Sequence, residues 1–469
     1  MSDSSDSTVN NDVHSSSSEN YQWLIKIKNA GTEETTHDDN QRKGPDHFPK
    51  VPPTLRDIQQ NRDCYDPSVV SIGPYHHGKT KALEEMEKFK ETYALDFVKD
   101  CKKLIAVIDS EVEAMLSVAK NWYPEDAREN FNDEQLAKMM FLDGCFIVQF
   151  LFCLYQQPEN LEMSRHDAAL VTKDLFLLEN QLPFEVLTKL MSFRNPDHKN
   201  PMKILTDFCY QVRASPAGTE LKEKITKIFR ELPKSLAIRN PQGPAPDQPA
   251  DAAHLLELLH KQFCSGTIVS ENSERSSCKN NSQMNWYRYY PAEELRKVGI
   301  DFKPSKTGLF TDVQFKRRWL ITRSLYIPPL RIDSSTKSLL LNLVAYEACH
   351  NKSQVTSYVC FMDSLIDTHR DVQGLRSKGI LLNTLGSDEK AAELFNQIAS
   401  HLIPDPYAYI QVKSSIEKEH MKVLKKWVAM WLRVYFNSPW TFIAFVAATF
   451  TIILTAIQTY IALFPLKDR

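Results

Sequence analysis

Four groups of residues have side chains suited to chemistry. His76 and His77 are adjacent in Ser71-Ile-Gly-Pro-Tyr-His-His-Gly78. Imidazoles serve as general bases and metal ligands near neutral pH, but neighbouring side chains diverge, and Gly73, Pro74 and Gly78 are turn-forming residues. The same loop can be a structural turn whose histidines bond nearby backbone, or a peptide-binding surface. His254, Glu257 and His260 follow i, i+3, i+6, so Glu257 shares a helix face with each histidine, without the i, i+4 histidine pair of a metalloprotease helix. A zinc site and an ordinary helix face are the two readings. Asp363, Asp367, His369 and Asp371 resemble a metal cluster but read better as a solvated helix end. Asp143 and Glu179 each interrupt an apolar stretch. A buried carboxylate needs a partner or a shifted pKa, so the two are either an acid/base pair or anchors for Arg, Lys or backbone donors in the core.

No recognised catalytic motif supports these candidates. The chain has no Gly-x-Ser-x-Gly elbow, no phosphate loop ending in Lys-Ser/Thr and no dinucleotide Gly-x-Gly-x-x-Gly, and only 13 glycines in 469 residues. The expectation is therefore no catalytic residue, no cofactor and no metal; enzymatic activity stays open, with a non-enzyme preferred. A formal net charge of −2 and no long basic block before residue 418 give no electrostatic footprint for nucleic acid. Nine cysteines, scattered and without a Cys-x-x-Cys pair, look like neither a disulfide framework nor zinc ligands.

The elements that would position these groups are mainly helical. Leu83, Met86, Phe89 or Lys90, Tyr93, Phe97, Cys101, Leu104 and Ile108 recur at helical spacing. A second helix starts at Asn132-Asp133 and runs into Cys145-Phe-Ile-Val-Gln-Phe-Leu-Phe-Cys-Leu-Tyr155, an apolar run too short to span a bilayer, which predicts a central helix buried nearly all round. Ala168 to Leu182 continues the helical pattern up to Pro183, and Val186, Leu187 and Leu190 carry it on. Prolines between Asn240 and Pro249 mark a linker, Ala252 to Phe263 is helical, and Cys264 to Asn285 reads as a polar loop. From Val298 to Ile327 apolar and polar residues alternate, which predicts a small antiparallel sheet. Helices follow over Ser334 or Ser335 to His350, Gln354 to His369 and Ser387 to Leu402.

From Trp440 to Phe464 no residue is charged, and at about 1.5 Å per residue such a helix covers roughly 37 Å, enough to cross a bilayer core with tilt. Residues 1–20 are Ser- and Asp-rich and lack the basic start and apolar run of a secretory signal. Lys418, Lys422, Lys425, Lys426 and Arg433 precede the apolar stretch and only Lys467 and Arg469 follow it, which predicts a tail-anchored chain with its long N-terminal part in the cytosol. Just before the anchor, Ile416, Val423, Leu424, Trp427, Met430, Trp431 and Val434 form one helix face. Trp427, Trp431 and Trp440 suit the membrane interface, and Lys422, Lys425 and Lys426 suit anionic lipid heads; docking on the domain is the alternative. Ala444, Ala448, Thr451, Thr455 and Gln458 line one stripe of the anchor, a pattern that favours helix association, although threonines also bond their own preceding turn.

Several separated segments carry a resemblance: Val51-Pro-Pro-Thr-Leu-Arg56, Tyr65-Asp-Pro-Ser-Val-Val-Ser-Ile-Gly-Pro-Tyr-His-His-Gly78, Asp143-Gly-Cys-Phe-Ile147 and Asp174-Leu-Phe-Leu-Leu-Glu-Asn-Gln-Leu-Pro-Phe184. With Ala292-Glu-Glu-Leu295, Gly299-Ile-Asp-Phe302, Asn342-Leu-Val-Ala-Tyr-Glu347 and Pro439-Trp440, the chain resembles the plant family defined by domain of unknown function 247 over roughly residues 50 to 464. The resemblance implies a plant protein, largely helical, with a C-terminal membrane helix and no established biochemical activity. Some grass members of that family are linked to pollen self-incompatibility, a role that no motif here carries over.

Together these readings predict a mainly α protein with a small antiparallel β element and one C-terminal transmembrane helix. Its parts are a disordered tail (1–46), a helical domain (47–412), a basic amphipathic juxtamembrane helix (413–438), a transmembrane helix (439–464) and a short tail (465–469). The expected role is recognition or signalling through a protein partner at a membrane, with possible self-association of the anchor; plasma membrane and endoplasmic reticulum both fit. An enzyme using buried carboxylates and a module sensing anionic lipid are the alternatives.

Overall fold

The computed structural model describes residues 48–101, 104, 107–155, 161–194, 201–214, 252–264, 290–318, 322–435 and 439–463. The chain divides into two units, 1–46 and 47–469. The first unit, the expected 240–249 linker and nearly all of the expected 264–285 loop lie outside the described residues.

Helix α1 (Lys81–Asp100) starts at Thr80, whose hydroxyl accepts the Leu83 N–H, and its inward stripe is Leu83, Lys90, Tyr93, Ala94 and Phe97. The helical period therefore selects Lys90 over Phe89, which is 43% exposed. The pattern breaks after Asp100 and resumes as α2 (Ile108–Trp122). Both pack on α3 (Asp133–Tyr155), the central helix. Length and apolarity alone would let α3 cross a membrane, since the helix is longer than the apolar run inside it, but 78% of its apolar window Asp133–Leu154 is buried inside the domain. Burial on nearly every side identifies it as a core helix.

Helix α4 (Arg165–Asp174), capped by Ser164, ends well short of the Leu182 expected from the sequence. Leu175, Phe176, Leu177 and Leu178 are all buried, so this stretch has no solvent face for a helix to present, and it runs as an irregular segment to α5 (Phe184–Arg194). Gly144 of α3 allows α5 close approach: a Cβ there would run into the Leu190 side chain. Helices α6 (Pro201–Ala214) and α7 (Leu255–Cys264) pack on each other.

After α8 (Ala292–Lys297) comes a three-stranded sheet of β1 (Ile300–Pro304), β2 (Gln314–Arg318) and β3 (Thr322–Ile327), in the order β1-β3-β2. The expected antiparallel sheet is correct for β2 and β3 only; β1 pairs with β3 in parallel, Phe302 opposite Leu325. Alternation along a strand sets which face is buried but carries no information about the direction of its neighbour. A second parallel pair joins β4 (Leu330–Ile332) to β5 (Leu381–Asn383).

Between them lie α9 (Thr336–Cys349), α10 (Gln354–Leu365) and α11 (His369–Ser377), with α12 (Asp388–Ala399) after β5. The single helix expected from Gln354 to His369 is broken at Ile366. Asp371 is buried and its carboxylate accepts the Thr368 N–H at 3.0 Å and the Thr368 hydroxyl at 3.1 Å, starting a new helix through a capping box.

Helix α13 (Ile410–Tyr435) docks its first three turns on the domain through buried Val412, Ile416, Glu419 and His420. Glu419 forms an ion pair with Arg323 of β3 at 2.6 Å, and His420 Nε2 lies 2.8 Å from Glu294 of α8. The last helix, α14 (Pro439–Leu463), contains Ile443–Tyr460, a stretch apolar enough to cross a membrane and wholly exposed.

Candidate functional site

Residues 66–78 form an irregular segment, buried over 70–76, whose backbone donors have no sheet or helix ladder to join. Side chains from three other regions take that role. Asp174, at the end of α4, accepts the N–H groups of Ser68, Val69 and Val70 on one oxygen, at 2.8, 2.8 and 3.1 Å. Asn180 accepts the Ile72 N–H at 2.6 Å and donates to Val70 O at 3.0 Å. Asp143 of α3 accepts the Gly73 N–H at 2.7 Å. Unpaired buried N–H groups cost about 1 to 3 kcal/mol each, so these acceptors allow the segment to be buried.

Lys90 is wholly buried and donates to Asp143 at 2.6 Å, Ser71 O at 2.5 Å and Glu87 at 2.6 Å, which uses all three ammonium protons. Burial pushes the Asp143 carboxyl up from its usual range, and the Lys90 charge opposes that. Burial likewise raises Asp174, against the pull of its three backbone donors.

Glu179 ties the N-terminal end of the domain to the same segment. It accepts the Val51 N–H at 2.8 Å and Arg56 at 2.7 Å, and His76 Nε2 lies 3.2 Å away. Burial resists its ionisation, yet the His76 and Val51 hydrogen bonds and the Arg56 charge together bring the carboxyl below its usual range. Tyr75 donates to Phe48 O at 2.5 Å and Tyr123 to Gln181 O at 2.7 Å. Asn342 of α9 accepts the Leu178 N–H at 2.8 Å and donates to Cys64 O at 2.9 Å. Five of the motif segments, 51–56, 65–78, 143–147, 174–184 and 342–347, thus meet around one irregular stretch of chain.

The structure brings His76 to Glu179 and Asp143 to Lys90, and the two carboxylates hold separate points of the segment. Each oxygen of both carboxylates accepts an N–H donor, an arrangement that fixes backbone and side chains in place. His77 points elsewhere, its Nδ1 3.7 Å from Glu87 and its ring 5.6 Å from that of Phe131. Sequence spacing does not single out Lys90, Asp174, Asn180 or Asn342, although each carries a readable signal: a polar group at an inward position of an apolar pattern.

His254, Glu257 and His260 do not converge. His254 is buried beside Gln181, Glu257 accepts the Ala253 N–H at the start of α7 and pairs with Lys261, and His260 Nε2 lies 2.8 Å from Glu347. Burial pushes the His254 pKa down to about 3. Below about pH 6.5 the unfolded chain binds a proton that the folded ring refuses until about pH 3, so stability falls with falling pH in that window, by up to about 1.4 kcal/mol per unit. Thermal unfolding of wild type and His254→Gln at pH 7 and pH 5 checks this: the wild-type advantage shrinks by about 2 kcal/mol at the lower pH.

The expectation of a solvated helix end at Asp363–Asp371 is overturned at Asp371, which is 2% exposed and caps α11. The Asp363 pKa is pushed up to about 6 by burial and by Asp367. An open groove lies alongside, lined by residues including Asp367, His369, Glu389, Glu393 and His401; neither Asp143 nor Glu179 lines it.

Lys422 is 57% exposed and pairs with Glu419 at 2.8 Å; the side chains of Lys425, Lys426, Trp427, Trp431 and Trp440 lie outside the described residues. Ala444, Ala448, Thr451, Thr455 and Gln458 are exposed on α14. The Thr451 hydroxyl donates to Ala447 O, and the Thr455 hydroxyl donates to Thr451 O at 2.7 Å.

Comparison with known proteins places this architecture. UPF0481 protein At3g47200 of Arabidopsis thaliana is 27% identical over 430 residues, covering 88% of this chain and 86% of that protein. Putative UPF0481 protein At3g02645, also of Arabidopsis thaliana, is 24% identical over 512 residues, covering 94% of each. No solved structure matches the chain. The family model described as DUF247, plant protein of unknown function, matches residues 49–454, which takes in the segment 66–78, all the side chains that hold it and most of α14; the chain belongs to that family.

Proposed function

We propose that this protein is a membrane-anchored interaction protein, whose helical domain binds a protein partner and passes on recognition or a signal. In this reading α14 spans the bilayer and the large domain faces the cytosol. The observation that carries it is the contrast between the two long apolar helices among the described residues: α3 is 78% buried in its apolar window, whereas none of Ile443–Tyr460 is buried. An apolar face left to water costs roughly 25 cal/mol per Å², which insertion into lipid removes.

The docked half of α13 supports a domain whose chain leaves toward the anchor from a fixed face, because Glu419 and His420 fix the helix to β3 and α8. The engaged carboxylate oxygens of Asp143 and Glu179 favour binding over chemistry. Orientation, the association stripe and the particular membrane are parts of the same proposal.

Affinity capture with mass spectrometry, using the intact chain and a chain truncated after Tyr435, which keeps the docked α13 and removes α14, tests it. A partner retained by both forms is the expected result and locates binding in the helical domain. Failure of both forms to retain any reproducible partner would overturn the reading.

A further inference from the structure

We propose that His260, Cys264 and Glu347 form a site for one borderline divalent cation of the zinc class, with its remaining coordination position open. One ligand atom from each residue lies within 4.8 Å of the others. His260 and Cys264 are i, i+4 on α7 and so share a face, and that face meets Glu347 of α9. Spacing along the sequence offers His260 partners at i−3 and i−6, whereas the structure supplies them at i+4 and on another helix.

An imidazole, a thiol and a carboxylate together suit zinc, cobalt(II) or iron(II) rather than calcium or magnesium, which take oxygen ligands. Tetrahedral zinc with ligands at about 2.0 to 2.3 Å places ligand atoms roughly 3.3 to 3.8 Å apart, so the trio, spread over at most 4.8 Å, contracts overall while His260 Nε2 and Glu347, now 2.8 Å apart, separate slightly. The Glu347 carboxylate is already oriented: it is wholly buried and accepts Val355 N–H at 2.7 Å, Thr356 N–H at 2.8 Å and the Thr356 hydroxyl at 2.8 Å. Such outer contacts are what hold a ligating carboxylate in place.

The electrostatics also favour a cation. Helix α7 ends at Cys264 and α9 ends at Cys349, so two carbonyl-bearing termini lie close to the trio. One carboxylate and one thiolate neutralise a divalent charge, which a site walled by the Tyr346 ring, 5.1 Å from that of His260, requires. Without metal, burial holds the Cys264 thiol protonated. Binding displaces the thiol proton to solvent, and His260 Nε2 exchanges its present contact with Glu347 for the cation.

The test uses the detergent-solubilised full chain, stripped with chelator and titrated with zinc or cobalt(II) alone. One equivalent binds, cobalt gives a thiolate charge-transfer absorption, and protons are released. Cys264→Ser removes the absorption and His260→Gln weakens binding at least about tenfold, while Cys360→Ser changes neither. Should either variant fold poorly by circular dichroism, the cobalt absorption and proton release on wild type still decide. Absence of stoichiometric binding to the folded wild type, or binding that survives Cys264→Ser unchanged, overturns the site.

Discussion

Asp143→Ala lowers the unfolding free energy by about 3 to 5 kcal/mol, the range for removing one partner of a buried ion pair. Two losses coincide, because buried Lys90 is left with only the partly exposed Glu87 to balance its charge and the Gly73 N–H loses its acceptor. The control is Lys90→Met with Asp143→Asn, which removes both charges and leaves an amide oxygen for Gly73. That double variant recovers most of the loss in thermal or denaturant unfolding of the detergent-solubilised chain. Equal destabilisation by both would mean that packing, not charge, dominates at this position.

Gly73→Ala is expected to cost about 2 to 4 kcal/mol from two sources. Gly73 has φ +69°, where a Cβ adds about 1 to 2 kcal/mol, and that Cβ would lie 2.5 Å from the Tyr123 hydroxyl oxygen. Tyr123 is 1% exposed and holds Gln181 O, so its ring cannot move aside without breaking that bond. Gly78 supplies the comparison: its φ is +68°, but a methyl group added there would meet nothing within 4 Å. Gly78→Ala therefore costs only the conformational part, about 1 to 2 kcal/mol, and unfolding midpoints of the two variants separate strain from collision.

Helix positions were legible wherever an apolar stripe had a polar opposite face, as in α1 and α12. The stretch 175–182 was not, because a segment buried on all sides shows no period, and only its tertiary acceptors, Asn342 among them, explain its irregular path. The partner of Asp143 was half legible: Lys90 falls on the inward stripe of α1, but which carboxylate it meets depends on how α1 and α3 pack. Strand direction in the sheet and the pairing of His260 with Glu347 likewise join residues far apart in sequence, and periodicity carries no information at that range.

The segment 66–78 also sets a timetable for synthesis. Its acceptors lie far downstream, Gly73 to Asp143 spanning 70 residues, Ser68 to Asp174 spanning 106 and Ile72 to Asn180 spanning 108. Cys64 O waits longer still, for Asn342, 278 residues away. A nascent chain leaving the ribosome therefore carries Cys64 without its partner through more than half of translation, and long-range closure of this kind is slow and exposed to wrong association. A ribosome stalled before residue 342 would therefore hold a chain in which Cys64 O still lacks Asn342.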